Sequence, residues 1–130
     1  MQNYIIVFIG AGFGGALRYW GSDFIYKFLP ATFPYGTLFV NVLGSFLIGL
    51  FMYYLDANKL ISQDLRIFLT TGFCGGLTTF STFSFETINF LKEREYFLAG
   101  SNAVLNVFLT LIALFVAYKF SSLLAGKINF

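Results

Sequence analysis

The chain has 130 residues, of which 58% are hydrophobic and only 11% are charged, and phenylalanine alone contributes 19 of them. A soluble domain carries about a quarter charged residues, so this chain has too little charge to cover a water-exposed surface. Its net charge of +2 is too small and too dispersed to indicate nucleic-acid binding. With a single cysteine, Cys74, and no histidine, an intrachain disulfide is excluded and a transition-metal site is not expected.

Four apolar segments are long enough to cross a bilayer, which requires about 20 apolar residues. They predict transmembrane helices at about residues 4–29, 35–55, 63–91 and 96–120. No Lys or Arg precedes the first apolar run and no cleavage-like ending follows it, so we expect a mature span rather than a signal peptide. The predicted fold is an all-α membrane protein, with residues 1–130 forming a single four-helix transmembrane domain.

Polar residues interrupt the first two predicted spans. Arg18, Asp23 and Lys27 lie in the second half of the first span, which is therefore expected to face protein, water or lipid headgroups. The second span carries three polar residues at four-residue spacing, on one helix face: Thr37, Asn41 and Ser45.

The third predicted span contains three glycines and several hydroxyl groups at mid-membrane depth, within residues 71–80 (TGFCGGLTTF). A continuous helix would be weak there, so we predict a break near Gly75 to Thr78. Irregular backbone at this depth is tolerated only where it is buried in protein or lines a cavity. After the break, Phe80 and Phe83 are three residues apart and share a helix face.

The fourth predicted span carries another polar stripe, formed by Asn102, Asn106 and Thr110. Any one such residue most often only joins membrane helices, but polar stripes beside a broken helix favour a transport path. Amides and hydroxyls donate hydrogen bonds, and aromatic ring edges are positive. With Glu86 as the one plausible intramembrane carboxylate, the path suits a small hydrated anion whose water shell compact donors can replace.

The positive charges are almost evenly divided between the two sides of the predicted four-span topology. The side of both termini holds Lys59, Arg66, Lys119 and Lys127, and the opposite side holds Lys27, Lys92 and Arg94, with Arg18 unassigned. Because the Lys/Arg imbalance sets orientation, this balance leaves two interpretations about equally open. The chain inserts in both orientations and pairs head to tail, or other features set one orientation.

Residues 72–86 (GFCGGLTTFSTFSFE) resemble the signature of the Fluc (CrcB) fluoride channels. Residues 36–41 (GTLFVN), Gly44 and residues 14–18 (GGALR) are also similar to that family, and the resemblance covers nearly the whole chain in order. It implies a fluoride-selective channel for passive efflux, which reduces cytoplasmic fluoride toxicity. It also implies a multi-pass protein of the cell (inner) membrane, surrounded by lipid. The implied assembly is an antiparallel, dual-topology homodimer with two pores, each using residues of both subunits.

The resemblance also implies roles for individual residues. Phe80 and Phe83 would turn their ring edges to fluoride, Asn41 would donate its amide to the ion, and Arg18 would make the aqueous entrance electropositive. Further pore residues implied by the family are Ser81, Thr82, Asn102, Asn106, Thr110 and Glu86. Those on the fourth span replace the Tyr or Ser of family members but keep donor capacity.

One cofactor is implied, a structural Na⁺ ion at the dimer interface. Gly75 and Thr78 resemble the residues whose main-chain carbonyls, from both subunits, form this site. A helix C-terminal end with unwound carbonyls favours a cation. A divalent ion would normally demand carboxylates.

The alternative is a small, dual-topology, proton-coupled exporter of cationic compounds. Such an exporter needs a carboxylate deep in the membrane and early in the chain, where the first span offers Arg18, and Asp23 is too near the helix end. A noncatalytic assembly subunit would explain the glycines but not the ordered signature. An enzyme is not expected, because no nucleophile–base pair can be assembled from these residues. The residues alone leave a channel and a fluoride/proton antiporter both open.

Overall fold

The computed structural model describes residues 1–126, and every regular element in that part of the chain is helical. Lys127 lies outside the described residues. The helices are α1 (Gln2–Ile25), α2 (Tyr35–Leu50) with a π-helical continuation (Phe51–Asp56), α3 (Gln63–Ile67) with a π-helical continuation (Phe68–Cys74), α4 (Gly75–Leu77), α5 (Phe80–Lys92) and α6 (Tyr96–Leu124).

Within residues 1–126, two helices have the length and apolar composition to cross a membrane: Tyr35–Asp56, which joins α2 to its π-helical continuation, and α6. Both coincide with predicted spans, although α6 continues to Leu124 rather than ending near residue 120. Helix α1 ends at Ile25 rather than near residue 29. The shortening has a local cause, since turns at residues 26–28 lead into Pro30, and the residue before a proline disfavours helix.

Helix α1 packs on the first half of the third segment (residues 63–77) through glycines that let the two backbones approach closely. A Cβ atom added to Gly10 would lie 2.7 Å from the carbonyl oxygen of Phe68, and one added to Gly14 would overlap the carbonyl oxygen of Phe73. Small residues at such a crossing are typical of helices that pack within a membrane. The sequence Gly-X-X-X-Gly therefore fixes how near α1 lies to the third segment.

The second half of the third segment, α5, packs mainly against α6, which also runs along α2. Ala117 of α6 is fully buried, and a Cβ atom added to Gly49 would lie 2.6 Å from the Ala117 Cβ atom. The α2–α6 contact is thus close and apolar at this end of the helices. Towards the middle it becomes polar, because Asn102 and Asn106 are the buried residues of α6 there.

The third segment leaves helical geometry at two residues between α4 and α5. Thr78 has φ −87° and ψ 155°, and Thr79 has φ −150° and ψ 121°, so both are extended. Gly75, by contrast, is helical, with φ −62° and ψ −36°. Gly76 lies against the backbone of Ala11 on α1, so this glycine serves close packing, and the extended residues are Thr78 and Thr79.

Candidate functional site

Asn41 of α2 lies opposite the extended residues and bonds to both polar groups of Thr79. The Thr79 N–H group donates to Asn41 Oδ1 (2.8 Å), and Asn41 Nδ2 donates to the Thr79 carbonyl oxygen (3.2 Å). Both residues are buried, at 9% and 8% exposure. A buried backbone group without a partner is costly, so Asn41 Oδ1 replaces the helical acceptor that the Thr79 N–H group loses at the interruption.

Thr79 also caps α5, a role that was not predicted from the sequence. Its Oγ1 atom accepts from the N–H group of Thr82 (3.2 Å), donates to Thr82 Oγ1 (3.1 Å) and lies 3.3 Å from Ser81 Oγ. Ser81 and Thr82, two predicted pore residues, are therefore gathered at the first turn of α5. A threonine just before a helix start is a typical N-cap, and this signal could have identified Thr79.

A first cavity of about 350 Å³ lies beside the interruption and contains most of the predicted pathway. It is lined by Asn41, Gly44, Ser45, Ile48, Thr70, Cys74, Gly75, Thr78, Thr79, Phe80, Phe83, Asn106, Val107 and Thr110. No carboxylate or cationic side chain is among these residues. The structure thus brings three predicted groups together: two residues of the α2 stripe, the two phenylalanines of α5, and Asn106 and Thr110 of the α6 stripe.

The two phenylalanines form a pair at this cavity. The ring centroids of Phe80 and Phe83 are 5.4 Å apart, with the planes inclined at 60°. Phe80 remains 77% exposed. Its ring is therefore not part of the packed interior of this chain, although it follows the buried Thr79 directly.

The asparagines of α6 are buried inside the helix group. Asn102 is 0% and Asn106 is 6% exposed. Asn106 accepts a hydrogen bond from Asn41 Nδ2 (3.0 Å) and donates to Asn102 Oδ1 (2.9 Å), while Asn102 donates to Thr87 Oγ1 (3.0 Å). Thr110 Oγ1 donates to the Asn106 carbonyl oxygen (2.6 Å). Asn106 and Thr110 line the first cavity, whereas Asn102 does not.

A second cavity, of about 450 Å³, lies on the other side of Thr79. It is lined by Gly15, Arg18, Tyr19, Ser22, Asp23, Tyr26, Thr37, Val40, Thr79 and Thr82. The structure therefore separates Arg18 from the phenylalanines, and Thr79 is the one residue of the two linings that belongs to both. Unlike the first cavity, this one contains charged side chains of both signs.

Glu86 lies next to the second cavity through Thr37. The hydroxyl of Thr37 donates to Glu86 Oε1 (2.6 Å). The other carboxyl oxygen, Oε2, is buried and has no hydrogen-bond partner among the described residues. A buried polar atom of this kind usually marks a functional position or an ordered water.

The two residues expected to hold sodium have carbonyl groups that the interruption frees. In a continuous helix the N–H groups of Thr79 and Thr82 would bond to the carbonyls of Gly75 and Thr78. Here those N–H groups donate instead to Asn41 Oδ1 and to Thr79 Oγ1. Residues Gly75 and Thr78 both line the first cavity. Neutral oxygens without a carboxylate nearby fit a monovalent cation better than a divalent one.

Comparison with known proteins supports the resemblance found in the sequence. Residues 5–118 match the family described as CrcB-like protein, Camphor Resistance (CrcB). Relatives from Geotalea daltonii, Pyrococcus abyssi and Granulibacter bethesdensis, among others, carry the name fluoride-specific ion channel FluC. The relative from Geotalea daltonii is 44% identical over 112 residues, which is 86% of this chain and 90% of the relative.

The relative from Pyrococcus abyssi is 43% identical over 120 residues (91% of this chain, 94% of the relative). The relative from Granulibacter bethesdensis is 45% identical over 117 residues (90% and 92%). The family match covers more than half of the chain, and the relatives match it along most of its length. The expected family is thereby confirmed, and this all-helical membrane protein belongs to the CrcB-like family.

Proposed function

We propose that this protein is a fluoride-selective channel, not an enzyme, through which fluoride leaves the cell down its own gradient and cytoplasmic fluoride toxicity is reduced. The observation that carries the proposal is the first cavity, which combines two phenylalanine rings with amides and hydroxyls and contains no charged side chain. The names of the relatives point to the same ion. We further propose that the protein crosses the cell (inner) membrane four times.

The chemistry of the first cavity suits fluoride in particular. Fluoride must exchange a tightly held water shell for groups that approach it closely. Ring edges of Phe80 and Phe83 supply a weakly positive surface, while the small hydroxyl of Ser45 supplies a strong donor. The Ser45 side chain has no hydrogen bond to another described residue, so its hydroxyl proton is available to the ion. Asn41 would reach the ion by giving up one of its two present partners.

The second cavity would serve as the aqueous entrance. A cationic group there raises the local anion concentration and the rate of encounter, which is the role proposed for Arg18. Thr82 would pass the ion across Thr79 towards the first cavity, with Ser81 and Glu86 near this end of the path. Asn106 and Thr110 would line the far half of the path, and Asn102 would lie behind it.

The active unit in this proposal is an antiparallel homodimer inserted in both orientations. Two observations support it: the near balance of Lys and Arg between the predicted faces, and the 77% exposure of Phe80, which lines the first cavity. A conduction path walled by one exposed ring needs a further surface to exclude lipid. A second copy, related by a two-fold axis in the membrane plane, would supply that surface to both paths.

Gly75 and Thr78 would hold a structural Na⁺ ion through their main-chain carbonyls at the interface of this dimer. Support comes from the two carbonyls that lose their helical donors. An ion bound there would neutralise the carbonyl dipoles of both subunits. An experimental structure should contain a monovalent ion ligated by these oxygens, whereas a water or a divalent ion with carboxylate ligands would contradict the assignment.

The proposed function is tested by ion release from liposomes that contain the purified protein. Fluoride should leave down its gradient once a potassium ionophore balances charge, and chloride should be retained. Protein-free liposomes are the control. Equal release of both anions would reject fluoride selectivity. Export of an organic cation driven by a proton gradient would favour the alternative exporter, although α1 offers that mechanism only Asp23, near its end.

Dual topology has its own test at the loop that contains Asn58. Cys74 is the single cysteine and is buried. Replacing it by serine (Cys74→Ser) and adding Asn58→Cys leaves one thiol, in the loop. An impermeant thiol reagent added to cells should label roughly half of the protein from outside, and the remainder should react after permeabilisation. Complete labelling or complete protection before permeabilisation would reject insertion in both orientations.

A further inference from the structure

A directional series of side-chain hydrogen bonds begins and ends on the short segment that carries Phe80 and Phe83. We call this series the amide relay. Its members, in order from donor to acceptor, are the Thr79 N–H group to Asn41 Oδ1 (2.8 Å), Asn41 Nδ2 to Asn106 Oδ1 (3.0 Å), Asn106 Nδ2 to Asn102 Oδ1 (2.9 Å), Asn102 Nδ2 to Thr87 Oγ1 (3.0 Å), and Thr87 Oγ1 to the Phe83 carbonyl oxygen (2.8 Å).

The direction of every bond in the amide relay is set by its first member. A backbone N–H group can only donate, so Asn41 must turn its oxygen to Thr79 and its NH₂ group to Asn106. The same logic orients Asn106 and then Asn102. At the far end the Thr87 hydroxyl accepts a hydrogen bond from Asn102 Nδ2 and donates one to the Phe83 carbonyl oxygen. The relay therefore links the N-cap of α5 to the next turn of the same helix through α2 and α6.

Burial makes the amide relay sensitive to the loss of one member. Asn102 is 0% exposed and Asn106 is 6% exposed. In such surroundings an unpaired donor is costly and hydrogen-bonded neighbours polarise one another. Without the Thr87 hydroxyl, Asn102 Nδ2 loses its acceptor, and the relay can recover it only by turning amides that Asn41 and Thr79 hold in place.

We propose that Thr87 is a positioning residue for fluoride passage: its hydroxyl closes the amide relay and thereby holds the Thr79–Phe83 turn, with both phenylalanine rings, against the first cavity. The inference rests on the proposed channel function, and it assigns a role in fluoride passage to a residue that lies outside the first cavity. Thr87 lines neither of the two cavities described above. Its single proton is already donated to Phe83, so it acts through other residues and not on the ion.

The test compares Thr87→Val, which keeps the shape but removes the hydroxyl, with Thr87→Ser, which keeps the hydroxyl. Fluoride release per folded dimer should fall at least fivefold in Thr87→Val and remain within twofold of the parent in Thr87→Ser. Ser121→Ala is the matched control, because that buried hydroxyl donates only to the Ala117 carbonyl oxygen within its own helix (2.7 Å). It should conduct like the parent.

The outcomes separate this inference from the function on which it rests. A parent that releases no fluoride overturns both together. A conducting parent with Thr87→Val at parental flux per folded protein, whatever its melting temperature, assigns Thr87 a purely structural role and overturns the inference alone. Loss of flux in Thr87→Ser as well would overturn it too. If Thr87→Val is not recovered folded, the smaller Thr87→Ala replaces it with the same expectation.

Discussion

The two halves of the third segment are held by different interactions. Residues 63–77 lie backbone to backbone on α1, where glycines such as Gly14 and Gly76 leave no room for a side chain. The second half, α5, is attached through hydroxyls and amides, beginning with the bonds between Thr79 and Asn41. Close backbone contact at glycines fixes how α1 and residues 63–77 lie against each other. A buried polar network can orient groups toward an ion, and we assign conduction to this half.

The largest expected effect of a single substitution is in the glycine-packed half. Gly14→Ala would place a methyl group onto the Phe73 carbonyl oxygen and 2.8 Å from the Leu77 nitrogen. Overpacking costs about 1–3 kcal/mol or more, and two backbones leave little freedom to relax. We expect a marked loss of monodisperse protein in gel filtration and a lower melting temperature.

The control for this substitution is Gly12→Ala, since a Cβ atom there has nothing within 4 Å. It should leave the yield unchanged and the melting temperature unchanged or slightly higher, because alanine is the better helix former. Whatever fraction of Gly14→Ala remains folded should release fluoride like the parent. A fully stable Gly14→Ala protein that has lost conduction would reverse the roles we assign to the two halves.

The second effect concerns the rings of α5. Phe80→Ile and Phe83→Ile conserve volume approximately, so each should cost less than about 1.5 kcal/mol of stability. Each removes a positive ring edge that isoleucine cannot replace. We expect fluoride release to fall at least roughly tenfold, equivalent to ~1.4 kcal/mol, while gel filtration detects a folded protein of the same size as the parent.

Phe51→Ile is the matched control for the ring substitutions. Phe51 begins the π-helical continuation of α2 and lines neither the first nor the second cavity. It should keep most of the parental flux. If Phe80→Ile and Phe83→Ile also conduct like the parent, the rings only pack, and the conduction path must be sought elsewhere in the molecule.

The smallest effect on fluoride release is expected from a substitution in the charged second cavity, the proposed entrance, rather than in the path behind it. Arg18→Gln should lower fluoride release about threefold at low ionic strength, because electrostatic steering raises encounter rates by tenfold or more only when fields are strong. The difference should vanish near 1 M salt, where the Debye length is ~3 Å. A salt-independent loss of flux would place Arg18 in the path itself. Lys92→Gln, at the last turn of α5, is the control and should change fluoride release neither at low ionic strength nor near 1 M salt.

The sequence predicted several of the polar and aromatic residues that line the first cavity, but not the hydrogen bonds that hold them. Four-residue spacing put Asn41 and Ser45 on one face, and the signature pointed to Phe80 and Phe83; all four line the same cavity. The bond between Asn102 and Thr87 could not be predicted, because it depends on the relative register of two helices. Gly75 was expected to unwind, since its intrinsic propensity is poor, but it is helical.

The central claim is that fluoride moves passively through the polar half of this molecule. The most direct test is the zero-current voltage across a bilayer that contains the purified parent protein under a fluoride gradient. The voltage should follow the fluoride gradient and should not change when a chloride gradient or a pH gradient is added. A voltage that follows chloride would contradict selectivity, and one that shifts with the pH gradient would indicate proton-coupled exchange instead of a channel.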